Sequence, residues 1–231
     1  MTVPAQPLEP ADAREAADLG AFLARLIHYD RAAAVRLQAG GGAVAVFGRP
    51  ASFEVLAIRT ARLAVPRTLD ITVSAGELLE GIDETTGRTA VPAAVTGPPW
   101  AGVLPPRGGW QPVPGLPGEE AIRRTLAAAV AEFRARDERL APEARNRAER
   151  DRIGREIWSR TLGDTRLPLR AVHAAQSLGF LRPVRAMVPA GTLPEDPVAL
   201  LESGNWLRLR TPYGSIAVRR AGLGGLTVTP A

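Results

Sequence analysis

The sequence contains no cysteine and no lysine. The absence of cysteine excludes disulfides, thiolate metal sites and cysteine nucleophiles. Aromatic residues make up only 5% of the 231 positions. No apolar run approaches the roughly 20 residues that a membrane-spanning helix needs. The first residues, MTVPAQPLEP, lack the basic start and apolar run of a signal peptide. These absences predict a cytoplasmic protein without a membrane partner.

All of the positive side-chain charge of the chain comes from arginine. All 29 basic residues are arginine, the formal net charge is +5 and the sequence pI is about 10.9. Abundant alanine, arginine, glycine and proline are typical of a GC-rich bacterial genome, so the pI is weak evidence for a polyanion partner. Residues 1–100 hold 9 Arg against 11 Asp and Glu, whereas residues 101–231 hold 20 against 13. Any surface that binds a polyanion is therefore expected in the second half.

The first hundred residues predict a helix packed on an antiparallel β-meander. Apolar residues recur at helical spacing between residues 11 and 29. They are Ala16, Leu19, Phe22, Leu23, Leu26 and Ile27. Strand candidates follow at 32–38, 42–48, 53–65 and 69–74, and the third is long enough to bend or carry a bulge.

Turn and capping signals separate these candidates. Gly40–Gly42 predicts a hairpin turn, since glycine accepts positive φ without penalty. Ser74 with Glu77 three residues later predicts a capping box at the start of a short helix. A further strand is predicted at 89–95.

Residues 97–117 form the clearest change in composition. Seven prolines and five glycines occupy 12 of these 21 positions. Such a stretch is either a linker or an extended covering segment. Trp100 and Trp110 favour the covering segment, because a free linker has little use for two indoles. The same two residues are the candidates for contact with a protein partner.

The second half predicts three helices and a terminal hairpin. The first helix is indicated by an apolar stripe that follows Gly118 and ends near Leu140. Pro142 permits a second helix, which stops at Gly163. Pro168 begins a third helix, which stops at Gly179. A short strand is predicted at 184–189. Residues 205–220 alternate around a Pro-Tyr-Gly-Ser turn and predict a β-hairpin.

Two short helices followed by a hairpin have the element order of a winged helix, which would place the helix after Pro168 in the major groove of DNA. The residues predicted to contact nucleic acid are Arg166, Arg170, Ala174 and Ser177 on the helix side and Arg208, Arg210 and Arg219 on the hairpin. The helix carries few side chains that read bases, and helical bundles contain similar turns. The alternative is therefore a core helix with a solvated face.

The helical span 119–160 carries 11 arginines against nine acids. Pairs such as Glu149 with Arg152 and Asp151 with Arg155 lie at helical contact spacing. This mixture predicts an exposed, self-paired helical hairpin, or one that docks a partner.

Catalytic signatures are missing from the sequence. It contains only His28 and His173, with no HExxH, phosphate loop, GxSxG or dinucleotide fingerprint. The carboxylates between 77 and 84 are sequence neighbours and do not face each other across a cleft. No catalytic, metal-binding or cofactor-binding residue is predicted.

These patterns together predict an α+β protein. The expected divisions are a flexible tail at 1–10, a helix with antiparallel sheet at 11–96, a connecting segment at 97–117, and a helical region with a C-terminal hairpin at 118–231. The favoured function is a non-enzymatic binding or scaffold protein whose partner is a protein or a second copy. The alternatives are a DNA-binding regulator and an enzyme whose site is not recognisable from sequence.

Overall fold

The computed structural model describes residues 6–98, 100, 102–182 and 198–220. It confirms the predicted fold class, because an N-terminal helix is followed by antiparallel strands, a helical middle and a C-terminal hairpin. The strand predicted at 184–189 lies outside the described residues.

Five α-helices, one short 3-10 helix (Pro142–Ala144) and six strands are present in the described part of the chain. The helices are α1 (Ala13–Tyr29), α2 (Ala75–Glu80), α3 (Glu119–Glu138), α4 (Arg147–Trp158) and α5 (Leu169–Ser177). The strands are β1 (Ala34–Gly48), β2 (Leu56–Ser74), β3 (Gln111–Pro112), β4 (Ala199–Ser203), β5 (Trp206–Thr211) and β6 (Gly214–Arg219). They form one antiparallel sheet in the order β1-β2-β6-β5-β4-β3.

The helix starts follow from local capping chemistry. The Asp12 carboxylate accepts a hydrogen bond from the Glu15 amide at 2.8 Å and starts α1. The Ser74 hydroxyl accepts one from the Glu77 amide at 3.3 Å and starts α2, as the capping pattern predicts. Each cap satisfies one of the amides that a helix N-terminus leaves without a partner.

The N-terminal sheet differs from the predicted meander, because four strand candidates form two long strands. Gly40–Gly42 does not make the predicted turn and instead lies inside β1. Gly41 pairs with Arg67 but Ala43 pairs with Arg62, so β2 carries extra residues at this point and the ladder is bulged. Gly41 has a φ of 72°, which explains why glycine suits the irregular position. The turn between β1 and β2 lies at 49–55.

The predicted tail and the predicted strand at 89–95 meet each other. Leu8 is 1% exposed, its amide donates to the Thr89 carbonyl at 2.8 Å, and the Thr89 amide donates back at 2.9 Å. The Ala64 amide in the bulged part of β2 donates to the Glu9 carbonyl at 2.8 Å. Residues 6–10 are therefore held against the sheet rather than forming a flexible tail. Thr89 makes isolated bridges, and 89–95 forms no strand.

The main core lies between one face of the sheet and the helices. Helix α1 packs on β2 and α5 packs on β6, while α3 and α4 pack on α5. Strand β2 pairs with β6 through Leu56–Ala217 and Ile58–Ser215, so one sheet includes strands from both sides of the 97–117 segment. We call the face that carries the helices the inner face and the opposite face the outer face.

Candidate binding surface on the outer sheet face

The outer face carries a second, smaller apolar cluster. Its buried members are Phe47, Leu56, Ile58, Trp100, Trp206 and Ala217. Five of the six lie on β1, β2, β5 and β6, where the alternation of strand side chains directs them away from the helices. This cluster gives the outer face an apolar centre.

The described residues of the segment 97–117 run over part of this face. Trp100 is 8% exposed and belongs to the cluster, so it is a packing residue in this structure, and a contact of Trp100 with a partner stays a prediction. Trp110 is half-buried, packs against the same cluster and donates from its indole nitrogen to the Pro106 carbonyl at 3.1 Å. A role of Trp110 in partner contact stays a prediction.

A groove lies beside this segment where it leaves the long β1–β2 hairpin uncovered. We call it the outer groove, and its volume is about 790 Å³. Ala45, Phe47 and Ile58 line one end of it, while Gln38 and Asp70 line the other. Further lining groups are Pro105, Pro106, Arg107 and Arg208. The outer groove thus combines an apolar floor with two cationic side chains.

Arg208 is the most confined cation of the outer groove. The side chain is half-buried, and its guanidinium lies over the Trp110 ring with 5.6 Å between Cζ and the ring centroid. Its buried Nε has no hydrogen-bond acceptor, and no described carboxylate pairs with it. Burial lowers the pKa of Arg208, and the neighbouring Arg210 lowers it further. An arginine stays protonated in proteins, so this position holds a cation without a counter-charge.

Among the described residues, one carboxylate lines the outer groove, and it has its own partner. Asp70 accepts a hydrogen bond from Arg36 at 2.8 Å. Arg107 is exposed and has no ion pair among the described residues. The groove therefore has an excess of positive charge at the end that contains Arg208.

The five arginines predicted to bind nucleic acid do not form one stripe. Arg208 and Arg210 share the outer face, as their spacing predicts, and Arg219 lies over Trp206 and donates to the Gly102 carbonyl. Arg166 pairs with Glu202 at 3.2 Å. Leu201 lies opposite Arg208 and shares the outer face with it, so the next residue of β4, Glu202, lies on the inner face. Arg170 is half-buried on α5.

The arrangement of α5 differs from that of a helix exposed to a DNA groove. Ala171, Val172, Ala174 and Ala175 are all fully buried, so the expectation that Ala174 is exposed is wrong. The physical reason is that α5 has the sheet on one side and α3 and α4 on others, which leaves only Gln176 fully exposed within the helix. Ser177 is half-buried.

The charged helical hairpin pairs its own charges. Glu149 and Arg152 form the predicted pair at 2.8 Å, whereas Asp151 pairs with Arg147 at 3.7 Å rather than with Arg155. Three further pairs join α3 to α4 or to Arg160 just after it: Arg136 to Glu156 at 2.7 Å, Arg160 to Glu132 at 2.6 Å and Arg150 to Asp137 at 2.8 Å. Most of the charge on this hairpin is thus neutralised within the chain.

The two histidines are connected only through a series of aromatic rings. His28 contacts Tyr29, Tyr29 contacts Phe53, and Phe53 contacts His173 edge to face at 5.1 Å. On its other side, His173 stacks on Trp158 at 4.4 Å. Burial lowers the pKa of His173. The histidines therefore do not converge on one point, and the His173 ring is mainly a packing group.

The acidic residues at 77–84 lie on the surface. All four of these carboxylates, Glu77, Glu80, Asp83 and Glu84, are exposed. The side-chain hydrogen bond from Thr86 lowers the pKa of Asp83 most, and hydrogen bonds from the Thr85 and Thr86 amides lower it further and fix a local turn. Among the described residues no group of three or more His, Asp or Glu side chains is arranged to hold a metal ion.

Comparison with known families places both parts of the chain in groups without an assigned role. Residues 3–102 match a family described as a domain of unknown function (DUF8010), and residues 105–223 match one described as a domain of unknown function (DUF8185). The second match covers more than half of the chain. The chain belongs to the DUF8185 family. The two matched segments of this DUF8185 member meet within the stretch 97–117 that contains the change in composition.

No curated protein and no solved structure matches the chain. Within the described residues, none of the helices combines the length and apolar character needed to cross a bilayer.

Proposed function

We propose that this chain is a non-enzymatic binding protein, and that the outer groove takes an extended segment of another protein in which an acidic residue lies beside apolar residues. The observation that carries the proposal is the guanidinium of Arg208, which is half-buried at the apolar end of the groove and has no acceptor at Nε. The histidines and exposed carboxylates described above offer no comparable convergence of reactive groups.

The chemistry of Arg208 favours a carboxylate. A guanidinium presents planar, paired donors that match the two oxygens of a carboxylate. A buried donor without an acceptor costs about 1–3 kcal/mol, and a ligand that supplied the acceptor would recover that cost. Trp110 holds the guanidinium from one side, so its donors are limited in the positions they can take.

The shape of the groove favours an extended chain. Its lining runs along β1 from Phe47 to Gln38, which is roughly 30 Å of strand at about 3.3 Å per residue. Phe47 and Ile58 would contact apolar side chains of the ligand, while Arg107 and Arg208 would face its acidic residue. A ligand of this kind matches both the charge and the apolar floor.

The test is a selection of peptides from a random display library by the purified protein, repeated with Arg208→Gln. We expect peptides with Asp or Glu next to apolar residues. Labelled copies should bind the Arg208→Gln variant at least 10-fold more weakly, because a hydrogen bond to a charged group contributes about 1.5–3 kcal/mol. Arg210→Gln is the matched control, since Arg210 is exposed on the same strand and does not line the groove. It should bind within twofold of the parent.

Two results would contradict the proposal. One is a selection without an acidic preference, or one whose preference persists in Arg208→Gln. The other is duplex DNA binding at about 50 mM salt that depends jointly on Arg208, Arg210 and Arg219 and declines steeply as salt rises. That second result would favour the DNA-binding alternative on the same face.

A further inference from the structure

The two edges of the sheet differ strongly. One edge is β3, which has only two residues and contains Pro112. Proline lacks an amide donor, so this edge offers little to an incoming strand. The other edge is β1, which has fifteen residues and no proline. In the described part of the chain, the backbone of β1 makes hydrogen bonds with β2 and with no other segment.

The second arm of β1, residues 43–48, follows the bulge between Gly41 and Ala43 and has no charged or proline residue to protect its free edge. Its sequence is AVAVFG, without any charged residue. Proteins commonly protect edges with lysine, proline or inward-pointing charge, and this chain has no lysine at all. The single charged residue of β1 is Arg36, which lies before the bulge, in the arm formed by residues 34–41, and pairs with Asp70 of β2. Ala43 and Ala45 are half-exposed small residues that permit close approach of a second backbone.

We propose that the second arm of β1 pairs in antiparallel fashion with the same arm of a second copy, forming a closed dimer. The twofold axis of such a pair is perpendicular to the sheet, so the residues that lie opposite each other must share a face. Ala45 then lies opposite Ala45 of the other copy, Val44 opposite Val46 and Ala43 opposite Phe47. The apolar sequence brings no like charges together in this register.

Because the β1 and β3 edges of the sheet differ, the proposed assembly should stop at two copies. A contact that uses one patch on both copies is self-complementary and ends at the dimer, whereas a contact between two different edges continues into a filament. Because β3 is short and carries Pro112, β1 is the edge that can pair, and it is consumed in the dimer.

The proposed dimer has a consequence for the outer groove, and this consequence alone rests on the proposed function. A perpendicular twofold axis keeps both outer faces on the same side of a continuous twelve-stranded sheet. Ala45 and Phe47 line the outer groove, so the grooves of the two copies meet at the axis. A segment bound in one groove would lie next to the segment bound in the other.

The test measures molar mass by sedimentation across a range of concentrations. The parent should change from 24.5 kDa toward twice that mass as concentration rises. Ala45→Lys and Ala45→Glu should each remain monomeric, because like charges would lie directly opposite one another. An equimolar mixture of the two variants should recover the dimer, which an unfolded variant could not do. Gln111→Lys, the matched change at the β3 edge, should dimerise like the parent.

Hydrogen exchange gives a second measurement that does not depend on the exact register. Amides of residues 43–48 should exchange more slowly in concentrated than in dilute parent protein. A parent that is monomeric at all concentrations, or a mixture of Ala45 variants that stays monomeric while the parent dimerises, would overturn the proposal. Arg208→Gln should still dimerise, so failure of peptide binding and failure of dimerisation are separate outcomes.

Discussion

The guanidinium of Arg59 donates a hydrogen bond to a Glu15 carboxylate oxygen at 2.8 Å, which joins β2 to the first turn of α1. Arg59 is only 6% exposed, lies 3.5 Å from an Asp18 oxygen and also donates to the Tyr213 carbonyl at 3.1 Å. Burial lowers the pKa of Arg59, while Glu15 and Asp18 act in the opposite direction. One buried cation therefore connects the first helix, the long hairpin and the terminal hairpin.

Replacing Arg59 should strongly destabilise the fold. Arg59→Ala removes the buried cation between Glu15 and Asp18, although Glu15 keeps the exposed Arg62 and Asp18 keeps Arg182. Breaking a buried pair costs about 3–5 kcal/mol when the remaining charge has no other partner, so we expect a loss of up to this size. Urea denaturation followed by tryptophan fluorescence measures the loss. Arg62→Ala is the control, because Arg62 also pairs with Glu15, at 3.1 Å, but its side chain is 71% exposed. The control should leave the urea midpoint unchanged, and equal effects of the two variants would contradict this account.

The packing of α1 on the end of β1 should require a glycine at position 48. A Cβ atom at Gly48 would lie 2.5 Å from Leu26 Cδ1 and 3.0 Å from Cδ2, and Leu26 is fully buried. Gly48→Ala should therefore cost about 1–3 kcal/mol as an overpacked core substitution. Gly40→Ala is the matched control, since a Cβ there meets nothing within 4 Å. It should be neutral or stabilising by about 0.4–1 kcal/mol in the same denaturation experiment.

The helices were largely predictable because their signals are local. Asp12, Ser74 and Pro168 mark helix starts in the sequence, and α1, α2 and α5 begin immediately after them. The two long strands were harder to predict from the sequence, because Gly40–Gly42 has the composition of a hairpin turn. One signal was present: Val35 and Leu37 are buried at odd positions, whereas Val44 and Val46 are buried at even ones. That change of phase indicates a bulge within one strand.

The candidate site could not be derived from sequence, because it depends on long-range register. Phe47 and Ile58 share a face with Arg208 only through the pairing of β1 with β2, of β2 with β6 and of β6 with β5. The period of two placed Arg208 beside Arg210 but could not show that Trp110 lies against one of them. The burial of Ala174 was similarly hidden, since no local pattern reveals that α5 is covered on several sides.

The ion pairs between α3 and α4 should be visible in an acid titration. The hydrogen bond from Arg136 lowers the pKa of Glu156 from 4.5 to about 2. A carboxyl whose folded pKa is depressed contributes stability at pH above about 4.5, and that contribution is lost as the pH falls toward 2. Carbon-13 NMR of the Glu156 carboxyl should report this value, and Arg136→Gln should raise it toward 4.5. High salt should raise it in the parent, because the pair is solvent-accessible. An ordinary carboxyl pKa in the parent would refute the pairing.

Protonation of His173 should destabilise the fold in mild acid. Burial holds the pKa of His173 below its ordinary value of 6.5, so the unfolded chain binds this proton more readily than the folded one. Stability should therefore decrease as the pH falls through about 6.5 and stop decreasing, for this group, below its folded pKa. His173→Phe keeps an aromatic ring against Trp158 and Phe53 but has no proton to gain. The difference in urea midpoint between pH 7.5 and 5.5 should thus be smaller in His173→Phe than in the parent. His28→Phe is the control, because His28 is exposed, and it should retain the full difference. If both histidine variants retain it, the acid sensitivity comes from the carboxylates and not from the His173 ring.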